Sequence, residues 1–295
     1  MRSRSGTEIR RCRPLLGTFV DIACKGSPDS VNCAFDMVEK VHRLMSFHDP
    51  TSDVARINRD ASREPVKIDP WTWHVLKYAK ELSSNSNGVF DITIGRELLK
   101  LGHLPRPNKR FERGGSWEDI ILDDECKVRF RRAVVVDLGG IAKGFAVDRA
   151  VEALKDNGVA AGIVSAGGDL RVFGPASQIV CVRHPAEPIG MAGALRLCGR
   201  AVATSGIYFS RRRFRGRYIG PLLDGRTRRV AHASISVTVG ALECMTADAL
   251  TKIVFALREG AAPLLAQYSA DALVLEGNGA PSWMFHPPCH PSRQS

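Results

Sequence analysis

The chain has no run approaching the ~18 consecutive apolar residues of a membrane-spanning helix, and no cysteine pair spaced C-x-x-C. The first absence excludes a helical membrane anchor within the sequence. The second, with eight cysteines scattered irregularly from Cys12 to Cys289, argues against a zinc site and a disulfide scaffold. The cysteines read as reduced, small apolar residues. Aromatic residues are scarce at 7% and do not interleave with the basic segments, so the stacking platform of a single-strand nucleic-acid binder is missing. Neither the Walker spacing nor a G-x-G-x-x-G fingerprint occurs. The basic N-terminal octet is not followed by an apolar stretch of signal-peptide length, and no lipobox cysteine is seen. The chain as written is therefore expected in the cytoplasm, and a start further upstream would make it periplasmic.

What is present is ordinary globular composition: 295 residues, 44% hydrophobic and 25% charged. That suffices to bury a core in one large domain or two packed lobes. The formal charge is +11; the positive charge is mostly arginine, partly clustered at Arg129, Arg131 and Arg132, at Arg211 to Arg213, Arg215 and Arg217, and at Arg226, Arg228 and Arg229. Such clusters suit an anion-binding surface or a solvated face; nothing but charge supports nucleic-acid binding.

Residues 1–13 read as a polar N-terminal tail, 14–277 as the folded domain and 278–295, rich in proline, as a disordered C-terminal tail. Phe19 to Cys24 alternates as a strand does, and Val31, Ala34, Phe35, Val38, Val41 and Leu44 fall at helical spacing behind a cap at Ser30. Thr72 to Ser84 repeats the helical pattern. Ala133 to Val136 reads as a buried strand, Gly139-Gly140 as a turn and Ala146 to Leu154 as a helix. Further strands are predicted at Gly162 to Ser165, Val180 to Val182 and Ser234 to Val239, with a helix over Thr246 to Leu257. Strands and helices alternate without a regular parallel βαβ count, so the fold class is α+β, or mixed α/β.

Three glycine-rich segments stand out: Gly88 to Thr93, Asp137 to Gly144, and Gly167-Gly168-Asp169. Glycines let backbone approach a ligand, and exposed amides cradle phosphate. The second segment leads from a predicted strand into a helix, where its amides and Lys143 would meet an anion; a tight turn without a ligand fits equally well. Asp248, early in the last long helix, suits the helix dipole. Alternatively it is a ligand for a hard metal, with Thr251 and Lys252 at i+3 and i+4 on the same helix face.

In order along the chain, Leu16-Gly17-Thr18, Met45-Ser46, Ser52 to Asn58, Gly88 to Gly95, Asp137 to Asp148, Gly167-Gly168-Asp169, Ala203 to Gly206, Ser236 to Val239 and Ala247 to Leu250 resemble the ApbE family of FAD:protein FMN transferases. The resemblance runs from about Leu15 to Leu275. It implies two interwoven α/β lobes with the flavin in the cleft between them. It also implies an enzyme that, with Mg²⁺, cleaves the FAD pyrophosphate, joins FMN to a threonine or serine hydroxyl of an acceptor protein, and releases AMP. The acceptor would be a flavoprotein subunit of a redox complex.

Carried over by the resemblance, Val89, Phe90, Asp91, Asp137 and Lys143 would contact FAD. Leu16 stands where a methionine usually meets the flavin, and His48 where a tyrosine does. Leu222 lies in the stretch that replaces the family's H-[IL]-[IL]-D-P-x-T-G. Asp248 would be the principal metal ligand, Gly140 would give a carbonyl, and Thr251 falls at an accessory position.

The sequence departs from the pattern at four places: His48 for the tyrosine, Pro221 for a histidine that is a candidate base, Gly225 and Arg228 for the later proline and glycine, and Lys252 for a threonine beside the metal. His232 is a possible substitute base, though a packing histidine is the plainer reading. No catalytic residue is assigned. The alternatives are an FAD pyrophosphatase yielding FMN and AMP, and a catalytically degenerate FAD-binding protein.

Overall fold

The computed structural model describes residues 7–105, 114–187, 189–206, 212–214, 217–230 and 235–286. In chain order the strands are β1 (Thr7–Leu15), β2 (Thr18–Gly26), β3 (Val66–Lys67), β4 (Ile120–Leu122), β5 (Lys127–Phe130), β6 (Gly162–Ala166), β7 (Asp169–Phe173), β8 (Gln178–Arg183), β9 (Met191–Leu197), β10 (Ala201–Gly206), β11 (Arg212–Phe214), β12 (Arg217–Ile219), β13 (Ser236–Ala241), β14 (Asp271–Leu275) and β15 (Pro281–Phe285). The α-helices are α1 (Pro28–Met45), α2 (Asp53–Asp60), α3 (Pro70–Asn85), α4 (Gly95–Leu101), α5 (Ala142–Asp156), α6 (Cys244–Leu257) and α7 (Ala262–Gln267).

Eight strands form one sheet in the order β1-β2-β6-β7-β10-β13-β14-β15, and every neighbouring pair is antiparallel. The fold is α+β. Helices α1, α5 and α6 form the layer over this sheet, and their apolar stripes meet in a single large core with β2, β6, β10 and β13. Alternation along β7 separates the two faces: Phe173 joins the large core, while Leu170 and Val172 pack on the other side with Leu197 and Val202. Strands β3, β5 and β4 make a separate small sheet beside α2 and α3. Among the described residues no helix is long and apolar enough to cross a membrane.

Three expectations change. The tail is ordered from Thr7, because β1 pairs with β2 over nine positions, Thr7↔Gly26 to Leu15↔Thr18; an edge strand needs backbone partners, and its charged side chains conceal it from any apolar pattern. Likewise β15 lies within the expected C-terminal tail. Pro281 takes the first strand position, where its missing N–H costs nothing, and Trp283 and Phe285 pack on the core. Residues 1–6 and 287–295 lie outside the described residues.

In the Ala133 to Val136 segment the three valines are buried, but the segment joins no sheet, making only an isolated bridge between Ile94 and Val135. A side chain holds it instead: the Asn58 amide donates to the Val136 carbonyl at 2.8 Å and accepts the Val136 N–H at 2.7 Å. The helices appear where their periodicity put them but start earlier. In α1 the cap is Ser27, in a reciprocal capping box with Ser30.

Candidate functional site

The site grows from the crossing of α5 and α6. Gly144, in the first turn of α5, lies so close to α6 that a Cβ there would sit 2.3 Å from the Cys244 carbonyl oxygen. At this approach each helix closes the other's N-terminus, where backbone N–H groups have no partner of their own. Asp148 on α5 accepts the N–H groups of Cys244 at 3.0 Å and Met245 at 2.8 Å, and Arg171 on β7 pairs with it at 2.6 Å. In return Asp248 on α6 accepts the N–H of Gly144 at 3.2 Å. The helix-dipole reading of Asp248 thus holds for α5, the partner helix, and not for its own.

Asp248 is fully buried and carries more than that amide. Its Oδ1 receives Lys252 Nζ, which also donates to the Asp248 carbonyl at 2.9 Å. Its Oδ2 lies 3.6 Å from Lys143 Nζ, which bonds Asp169. Burial pushes the Asp248 carboxyl up, but Lys143 and Lys252 outweigh it and hold the carboxyl below the usual carboxylate range. Burial also raises the Asp169 carboxyl, helped by the negative charge of Asp248. For Lys143, burial alone would favour the neutral amine, and the two aspartates reverse this and keep the ammonium. Two carboxylates lie at the back of this quartet, and two ammonium groups face the cleft.

Gly167-Gly168-Asp169 is explained by the same quartet. Both glycines adopt positive φ, +62° and +105°, in the two-residue turn joining β6 to β7, and the turn delivers Asp169 to Lys143. A Cβ on Gly167 would meet Thr18 Oγ1 at 2.7 Å. This glycine pair is a turn that places a carboxylate.

In front of the lysines opens a cleft of about 560 Å³, within the range of small-molecule sites. Leu16, His48, Val89, Phe90, Asp91, Asp137, Gly140, Lys143 and Leu222 all line it, together with Lys252. Asp248 and Thr251 do not; they lie behind it. Leu16 enters from the β1–β2 turn at φ +56°, beside Gly17, in the left-handed pair that a tight hairpin demands.

Asp91 is anchored on both oxygens. Oδ1 accepts the Thr93 N–H and hydroxyl, each at 2.7 Å, and Oδ2 accepts Arg228 at 2.6 Å. Burial still raises its carboxyl despite Arg228. Asp137 follows the clasped Val136 and accepts the Gly139 N–H at 3.2 Å. Burial pushes its carboxyl up to about 6, against the opposing pull of that amide and of His48. His232 lies outside the described residues.

The donors assigned to Mg²⁺ do not present an open ligand set. Both Asp248 oxygens are engaged. The Thr251 hydroxyl donates to the Asp248 carbonyl at 2.6 Å and shares a 2.7 Å hydrogen bond with Ser205. The Lys252 stem runs beside Gly140, its Cε 3.3 Å from where a Cβ would stand, so the ammonium and this glycine share the same corner of the cleft. Among the described residues no group of three or more His, Cys, Asp and Glu side chains is arranged to hold a metal. Magnesium wants several oxygen ligands and retained waters, and here an ammonium stands at the carboxylate.

The sequence model of the ApbE family matches residues 16–274. The chain belongs to the ApbE family. It is 26% identical over 269 residues to an FAD:protein FMN transferase of Klebsiella pneumoniae, covering 83% of this chain and 81% of that one. It is 28% identical over 264 residues to one of Haemophilus influenzae, covering 81% and 75%. The crystal structure of the ApbE protein of Thermotoga maritima superposes with a TM-score of 0.84 at 28% identity, over 96% of this chain and 97% of that one. The flavin transferase ApbE of Vibrio cholerae shares the fold, with a TM-score of 0.77 at 23% identity.

Sequence reasoning within the ApbE match missed Arg228 as the partner of Asp91 and Asp169 as the partner of Lys143. It also missed His103, which lines the cleft. Nothing local marks Arg228, 137 positions from Asp91. Asp169 was marked by its glycines, for the wrong purpose.

Proposed function

We propose that this protein transfers FMN from FAD to a threonine or serine hydroxyl of an acceptor flavoprotein subunit of a redox complex, releasing AMP. The observation that carries the reading is the pair of ammonium groups, Lys143 and Lys252, held against the buried carboxylate of Asp248 and opening on a cleft walled mostly by apolar side chains. An isoalloxazine ring suits the walls formed by Leu16, Phe90 and Leu222. A pyrophosphate suits the lysines and the glycine turn before α5. The names carried by the relatives support the same substrate.

In the step, the acceptor oxygen attacks the FMN phosphorus. A new P–O bond forms, the bond to the bridging oxygen breaks, AMP leaves with that oxygen, and the hydroxyl proton passes to solvent. Fixed positive charge beside the pyrophosphate stabilises the charge that grows on the bridging oxygen, because it costs no reorganisation as the bond breaks. The lysines supply it.

The test is to incubate the protein with FAD and an acceptor domain bearing the target threonine, then read covalent flavin fluorescence on a denaturing gel. Labelled acceptor is expected, and none when the threonine is replaced by valine. An unlabelled acceptor with AMP and free FMN accumulating would show water, rather than the hydroxyl, as the attacking group.

A further inference from the structure

We infer that the Lys252 ammonium stands in for the divalent cation between Asp248 and the FAD pyrophosphate, so that this chain binds and cleaves FAD without bound Mg²⁺. The inference rests on the transferase reading and adds to it the identity of the cation.

The geometry centres on Lys252. An ammonium has three N–H donors. Lys252 directs one to Asp248 Oδ1 and one to the Asp248 carbonyl oxygen, which leaves one for a phosphate oxygen in the cleft that the side chain lines. Its side chain is 16% exposed and that of Lys143 is 30%, against 1% and 2% for Asp248 and Asp169. The four formal charges cancel, but their layering presents the positive side to the ligand. A divalent ion reaching Asp248 would have to displace the ammonium from the carboxylate and then share the same small space with it, like charge against like charge. The remaining donors are committed as well, Thr251 to Ser205 and to the backbone of Asp248. With Lys252 in contact with Asp248, two features that cation binding needs are missing: a free carboxylate edge and a free hydroxyl.

The test titrates FAD into the wild type, Lys252→Thr and Lys252→Arg, each in EDTA and in millimolar Mg²⁺. Flavin fluorescence reads the affinity, and AMP release is followed in parallel samples that also contain the acceptor domain. The wild type is expected to bind FAD equally, within about twofold, in both conditions and to release AMP in EDTA. Lys252→Thr is expected to lose about tenfold or more in affinity in EDTA, the scale of one hydrogen bond to a charged group, and to recover it in Mg²⁺. That recovery also shows the variant to be folded. Lys252→Arg keeps the cation and is expected to bind in EDTA. A wild-type affinity that rises tenfold with Mg²⁺, or a Lys252→Thr protein with the wild type's metal response, overturns the inference. AMP released in Mg²⁺ but not in EDTA also overturns it. If the wild type binds FAD equally in both conditions but releases no AMP and labels no acceptor in either, the transferase reading and the cleavage half of the inference fail, while the assignment of the binding cation stands.

Discussion

Asp148 on α5 accepts the backbone N–H of Met245 on α6 at 2.8 Å, and thereby caps a helix that begins 96 positions further along the chain. It is buried, serves two N–H groups and pairs with Arg171. Asp148→Ala removes the cap and strands a guanidinium, so a loss of about 3 kcal/mol is expected. Urea unfolding monitored by circular dichroism measures it. The loss should exceed that of Asp29→Ala, where an exposed first-turn acid of α1 touches no such network.

Gly144 allows the two helices to meet. Since a Cβ would press on the Cys244 carbonyl, Gly144→Ala must push α5 from α6 and lengthen the Gly144 to Asp248 hydrogen bond. A destabilisation of about 2 kcal/mol or more is expected, with weaker FAD binding because the lysines move with their carboxylates. A thermal melt and an FAD titration of the same sample check both parts.

Arg228 stands at φ +55°, a left-handed conformation that glycine accepts more readily. Its guanidinium holds Asp91, and burial already raises that carboxyl. Arg228→Gly relaxes the backbone but leaves the carboxyl without its cation, so Asp91 should become protonated at higher pH than in the wild type. FAD affinity in the variant is expected to fall about tenfold, and its pH dependence to shift upward. An affinity profile from pH 5 to 8 that matches the wild type would show that the ion pair has no bearing on the flavin.

Asp137 gives a pH prediction of known sign. Its carboxyl titrates at about 6 in the folded protein, against an ordinary 3.8, so folding favours the protonated form. Its ionisation therefore costs stability, and the cost is absent below pH 3.8 and complete above pH 6. Asp137→Asn is expected to match the wild type near pH 4. At pH 8 it should be more stable by about 2 kcal/mol, the linkage value having been reduced because the cleft admits water. The same variant should bind FAD less well. Melting temperatures at the two pH values decide the first part and an FAD titration the second.

Much of the fold was legible because apolar periodicity survives in α1, α3, α5 and α6, and β-branched alternation survives in β2 and β13. The elements that were missed lack such patterning. β1 is charged on an edge, β15 begins with a proline, and the Val134 to Val136 segment looks like a strand but is held by Asn58. The lining of the cleft was legible through family resemblance at Leu16, His48, Val89, Phe90, Asp91, Asp137, Lys143 and Leu222. The charge network behind it was not. The contacts between Arg228 and Asp91, Lys143 and Asp169, and Asp148 and Met245 each join distant segments, and no local spacing encodes them. Lys252 was visible as a departure, but only the packing shows that its ammonium lies on Asp248.

The most direct measurement of the transfer uses FAD carrying one isotope in the isoalloxazine ring and another in the adenosine, incubated with the protein and an acceptor domain. The ring label is expected to remain on the denatured acceptor and the adenosine label to appear as AMP in equal amount. Both labels remaining together in intact FAD, or a ring label recovered wholly as free FMN, would contradict transfer to the acceptor.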